Sequence, residues 1–161
     1  MTSKKIGLNP ALNSGLLDVA QIAQLIPHHG DMSLLASVNK FDAHSIHCSA
    51  KSHRFPTNPL RENSMLHAVC GVEYAAQAMA VHGALSSQKN APQPRGGRLA
   101  SVRSVDIFVA RLDTFQEDLD VQATLLMNDE KSMMYEFTVS TPSQILLQGK
   151  ATVILIPKES E

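Results

Sequence analysis

Between Arg61 and Lys89 the sequence holds no lysine or arginine, and residues 65–85 run through Met, Leu, Val and Ala with a single acid, Glu73. A helix that is apolar around its whole circumference is enclosed by the rest of its fold. An ionised carboxylate placed there loses hydration, so it needs hydrogen-bond donors or a proton. A carboxyl in such surroundings suits acid–base chemistry near neutral pH, which makes Glu73 the first functional candidate. As a helix the segment is about 31 Å long, enough to cross a bilayer. However, His67, Glu73, Gln77 and His82 interrupt it, and no membrane span is expected.

On either side the periodicity differs. Residues 18–26 carry Val19, Ile22, Ala23 and Ile26 at helical spacing, with Asp18 as N-cap and Pro27 as the stop. Residues 34–41 and 45–50 alternate like strands about an Asp42-Ala43-His44 turn. Pro56 and Pro59 make residues 53–63 a loop into the long helix, and residues 90–97, with two prolines and two glycines, form the loop that follows it. Residues 98–112, 119–127, 133–139 and 144–156 then alternate as strands with short turns between the last three. In the first of these, Leu99, Ser101, Arg103, Val105, Ile107 and Val109 are expected on one face. A parallel sheet would need a helix between successive strands. The expectation is therefore α+β: one domain over residues 1–161, with residues 1–16 as a flexible arm and an antiparallel sheet wrapped around one long central helix.

A content of 43% apolar and 18% charged residues argues against disorder, and 4% aromatics without Trp means an aliphatic core. The net charge of −1 gives no global reason to expect nucleic acid or a membrane surface. Charge is nevertheless segregated. No acid lies between Glu73 and Asp106, where Lys89, Arg95, Arg98 and Arg103 fall, so this stretch is either a solvated face or a basic patch for an anionic partner. Cys48 and Cys70 have no metal or redox spacing and read as buried thiols of a reduced compartment. No secretory signal is visible in the first 14 residues, and the expected location is the cytoplasm. His28, His29, His44, His47 and His53 show no zinc spacing, so neither a metal nor a cofactor is expected.

Two segments carry a resemblance. Pro27-His28-His29-Gly30-Asp31-Met32 followed by Leu34-Leu35, and Gly71-Val72-Glu73-Tyr74-Ala75-Ala76-Gln77-Ala78, make the chain resemble the hot-dog-fold β-hydroxyacyl-[acyl carrier protein] dehydratases. The branch associated with aryl-polyene biosynthesis is the most similar, with a Pro-His-X-Gly-X-Met opening and a Gly-(Ile/Val)-Glu-Tyr-X-Ala-Gln-Ala helix. The chain departs from that branch at Ala36, where an Asp is usual. His53-Arg54-Phe55-Pro56 is similar to the Gly-His-Phe-Pro-Gly loop of the wider family, but lacks its flanking glycines.

The resemblance implies dehydration of a β-hydroxyacyl thioester on acyl carrier protein to the trans-2-enoyl thioester. It implies His28 as base, with His53 as the alternative, and Glu73 as acid. The backbone N–H of Gly71 or a neighbour is the candidate donor to the thioester carbonyl, and Gln77, one turn beyond Glu73, orients or donates to the carboxyl. His53 otherwise reads as a surface loop residue and His28 as a loop staple. In the family the site lies between two chains, base and acid coming from different ones, which implies a homodimer. Arg95, Arg98 and Arg103, with Arg54 and Arg61, are candidate docking residues for the acidic carrier. An acyl thioesterase on the same fold and a non-catalytic acyl-binding or partner subunit are the competing readings.

Overall fold

The computed structural model describes residues 16–87 and 97–156. Leu16 follows most of the expected N-terminal arm, whose residues 1–15 lie outside the described residues, as do residues 88–96 with Arg95. Helix α1, Val19–Ala23, starts where Asp18 accepts from the Gln21 N–H while the Gln21 side chain accepts from the Asp18 N–H. This reciprocal capping box contributes about 1 kcal/mol. Strands β1 (Ser37–Phe41) and β2 (Ser45–Ala50) precede helix α2 (Gly71–Ser87), and β3 (Gly97–Ile107), β4 (Leu119–Asn128), β5 (Ser132–Thr141) and β6 (Gln144–Leu155) follow it.

All six strands form one sheet in the order β1-β2-β4-β5-β6-β3, and every neighbouring pair is antiparallel. Two hairpins share one turn device. Asp42 Oδ1 accepts from the N–H groups of His44 and Ser45, and Asp129 Oδ1 accepts from those of Lys131 and Ser132. A short acidic side chain thereby fixes the turn and sets the register of the strands on either side. Val121, Ala123, Tyr135, Phe137, Val139 and Ala151 are buried on the inner face, against α2. The α+β expectation of a sheet around one central helix therefore holds.

Three expectations change. The long helix begins at Gly71, after a 3-10 turn at Ala68–Cys70, rather than at residue 65. Residues 66–68 are drawn into backbone pairing instead: Leu112 N donates to Leu66 O, and Ala68 N donates to Ala110 O. Nor is α2 enclosed all round. Val72, Glu73, Ala76, Ala80 and Gly83 form a half-buried stripe at helical spacing. In β3 the expected single face is broken by register shifts at Leu99/Ser101 and Arg103/Asp106, with Ser104 at φ +52°. Leu99 lies opposite Val153, whereas Ser101 and Arg103 lie opposite Thr152 and Lys150 on the other face.

Candidate functional site

Glu73, Tyr74, Gln77 and His82 on α2 each bond to another part of the chain. Glu73 meets His28, with Glu73 Oε1 3.2 Å from His28 Nε2, and the two side chains are 32% and 28% exposed. Gln77, one turn on, is fully buried. It accepts from Leu34 N at 2.9 Å and donates to Met32 O at 2.8 Å and to Glu73 Oε1 at 3.3 Å. The segment after His28 is thereby stapled to the helix, and the carboxylate is steadied by the same amide. Gly30 makes the intervening turn possible: at φ +58° it occupies the left-handed region, and Ser33 N donates back to its carbonyl.

Tyr74 supports the staple from the neighbouring face. Ser52 Oγ donates to Leu34 O at 2.8 Å, so its contact of 2.7 Å with Tyr74 is a bond donated by the tyrosine hydroxyl. Asn58 Nδ2 donates to that hydroxyl at 3.1 Å and to Ser52 O at 2.9 Å. Burial pushes the Tyr74 hydroxyl up from its ordinary range, keeping it a neutral donor. Sequence reasoning passed over Tyr74, Ser52 and Asn58. The one available signal was a polar residue directly after Glu73 in an otherwise apolar segment.

His53, the alternative base, is not a surface residue: it is fully buried, and its Nε2 lies 3.1 Å from the Phe115 carbonyl, so that nitrogen carries the proton. Burial, with Arg54 next to it, pushes its pKa down. Gly71 is also not a free donor, because its N–H is directed to the carbonyls of Ala68 and Val69. Its value is in packing, since a Cβ there would run into the Leu147 side chain. Cys48 is buried and its thiol is pushed up to about 12, which makes it inert. His82 is buried on α2 and bridges the Asp42 carbonyl and the Tyr135 hydroxyl, a packing role.

Of the candidate docking arginines, Arg54 is occupied by Asp118 at 2.8 Å and by Gln116 O. Arg61 holds the carbonyls of His53, Phe55 and Ser64. Arg98 and Arg103 are exposed on the outer face of β3. A cleft of about 380 Å³ is walled by Gly30, Ser33, Leu34, Ala36, Lys51 and Phe55, and neither His28 nor Glu73 lines it. Among the described residues no group of His, Cys, Asp and Glu is arranged to hold a metal ion, and no helix is long and apolar enough to cross a membrane.

A six-stranded antiparallel sheet closed over one central helix defines a hot-dog fold. The chain belongs to the ApeP-like family, described as ApeP dehydratase, which matches residues 20–161. Its fold superposes on a chain of the dehydratase heterocomplex ApeI:P from Xenorhabdus doucetiae with a TM-score of 0.75 at 25% identity, covering 88% of this chain and 93% of that one. More distant likenesses concern the fold alone. A hypothetical thioesterase with coenzyme A from Streptococcus pneumoniae gives a TM-score of 0.56 at 10% identity, over 77% of this chain and 88% of that one. Zebra fish thioesterase superfamily member 2 gives 0.58 at 12% identity, over 87% and 99%. No curated protein matches the sequence.

Proposed function

We propose that this dehydratase removes water from a β-hydroxyacyl thioester carried on acyl carrier protein, with His28 as base and Glu73 as acid. The observation that carries the reading is the 3.2 Å contact between His28 Nε2 and Glu73 Oε1 on a stapled loop. His28 takes the α-proton; its bonding pair becomes the Cα–Cβ double bond as the Cβ–O bond breaks, and the hydroxyl leaves as water with the proton of Glu73. The base then holds one proton more and the acid one fewer. Their contact lets that proton return, and the pair is reset without a cofactor. Gln77 orients the carboxyl throughout.

The acidic carrier docks on Arg98 and Arg103, the exposed cations of the outer sheet face, with Lys150 opposite Arg103. The protein works as a two-chain assembly. Leu99, Ile107 and Phe108 are 40%, 46% and 57% exposed along the free edge of β3, and Val69 is 58% exposed beside the half-buried stripe of α2. A second copy fits this surface, and so does a related dehydratase chain, as the ApeI:P heterocomplex illustrates. Two free cysteines suit the reducing cytoplasm.

Incubation with a β-hydroxyacyl carrier protein, read by mass spectrometry, separates the readings. Loss of one water supports dehydration, release of free acid indicates a thioesterase, and no change with an intact carrier indicates a non-catalytic subunit. Charge reversal at Arg98 and Arg103 is expected to weaken carrier binding at low salt; unchanged affinity would reject that docking face.

A further inference from the structure

We propose that the cleft beside the His28 loop is a second ligand site, shaped for a free α-amino acid with an apolar side chain, and that its occupant is felt at His28. Binding there needs none of the dehydration chemistry above, and neither His28 nor Glu73 lines the cleft.

At about 380 Å³ the cleft falls within the range of about 300–1,000 Å³ common for small-molecule sites. Much of its lining is apolar. Leu34 and Leu35, each 1% exposed, line it from the core, and Ala36 follows them. Val19 of α1 and Phe55 line it as well, and they remain 51% and 48% exposed. Large apolar side chains left to water around one concavity mark a binding surface. The polar groups of the lining divide into taken and free. Ser52 and Asn58 are buried and already bonded to Leu34 O, Ser52 O and the Tyr74 hydroxyl. Ser33 Oγ, by contrast, is shielded from solvent and has no hydrogen-bond partner among the described residues. A buried hydroxyl without a partner is costly, and a ligand oxygen satisfies it.

The charges narrow the ligand. Lys51 and Asp31 both line the cleft, and both are exposed. Among the described residues neither forms an ion pair, with the other or with any third group. One free cation and one free anion make the lining neutral in sum. A ligand with a net charge would therefore set that charge beside a like one. A zwitterion satisfies both: its carboxylate meets Lys51, its ammonium meets Asp31, and Ser33 Oγ donates to a carboxylate oxygen. An apolar side chain then lies against Leu34, Ala36 and Phe55. Asp31 and Ser33 belong to the turn that follows His28. Met32 O, between them, accepts from Gln77, and Ser33 N donates to Gly30 O. A ligand bonded to Asp31 and Ser33 thus bears on the backbone that carries His28.

Calorimetric titration with L-leucine tests this, beside two analogues that each lack one charge, isopentylamine and isocaproate. Leucine is expected to saturate one site per chain, and each analogue to bind more weakly by about fivefold or more. Lys51→Met is expected to abolish the preference for leucine over isopentylamine, and Asp31→Asn the preference over isocaproate. An analogue that binds wild type as tightly as leucine would overturn the proposal. So would preferences that survive these substitutions, or no saturation well above about 1 mM. Ala36→Leu fills the cleft and is expected to abolish binding; a folded variant that still binds leucine would overturn the assignment. If that variant does not fold, the two charge variants decide. In wild type labelled with 15N-histidine, saturating leucine is expected to shift the His28 imidazole signals, and unmoved signals would overturn the link to His28. If wild type does not dehydrate a β-hydroxyacyl carrier protein, the functional reading fails, and these titrations still decide the second site.

Discussion

Replacing Gln77 by methionine preserves volume and removes three hydrogen bonds at one fully buried position. The Leu34 N–H, on a residue 1% exposed, is left without its acceptor. An unsatisfied buried donor costs about 1–3 kcal/mol. Met32 is half-buried and its carbonyl can recruit water, so its loss is about 0.5–1.5 kcal/mol. Together these predict about 2–4 kcal/mol, or a melting temperature lower by roughly 5–15 °C for a chain of this size. Thermal unfolding at one fixed protein concentration measures it, since assembly also contributes to stability. Turnover should fall further than unfolding explains, because the loop bearing His28 is released from the helix. Gln77→Glu refines the test. It keeps an acceptor for Leu34 N but sets an oxygen in place of the amide nitrogen, which lies 2.8 Å from Met32 O and 3.3 Å from Glu73 Oε1. Only the protonated carboxyl fits there, so that variant should be most stable at acid pH and lose stability as pH rises through the carboxyl's titration. A melting temperature for Gln77→Met within about 2 °C of wild type would refute the reasoning.

Other consequences are as specific. Gly71→Ala should cost about 1–3 kcal/mol through overpacking against Leu147, and adding Leu147→Val should return part of it in a double-mutant cycle. Burial lowers the pKa of His53 and His82. Unfolded chains take up these protons below about pH 6.5 while the fold resists them. Stability should therefore decline as pH falls from that point, by at most about 1.4 kcal/mol per pH unit for each histidine; equal denaturant midpoints at neutral and mildly acid pH would contradict this. Ser64 lies at φ +62°, in a tight turn with Asn63 at +50°. Ser64→Gly should raise stability by up to about 1 kcal/mol, measured by urea unfolding.

The fold was legible because its signals are local. Asp18 before an amphipathic stretch, Asp42 and Asp129 at hairpin turns, and the alternation of residues 119–127 each act within a few residues. Glu73 and Gln77 were legible as one helical face, and His28 entered through a resemblance rather than through spacing. The misreadings involve partners distant in sequence. Residues 66–68 look helical, yet Ala110 and Leu112 draw them into extended pairing. His53 looks exposed among prolines and polar residues, yet the Phe115 region closes over it. The bulges of β3 follow from its pairing with β6, which no count of alternating residues reveals. The half-buried stripe of α2 is as apolar as its core face, apart from Glu73, so composition alone does not tell the two faces apart.

The most direct test of the account is the single-turnover rate of water loss from a saturating β-hydroxyacyl carrier protein with wild type and Glu73→Gln. The amide keeps the shape of the carboxyl and cannot supply its proton, so the rate should fall by roughly 10²–10⁴-fold with carrier affinity unchanged. A Glu73→Gln rate equal to that of wild type would contradict the assignment of this residue, and with it the acid–base pair on which the function rests.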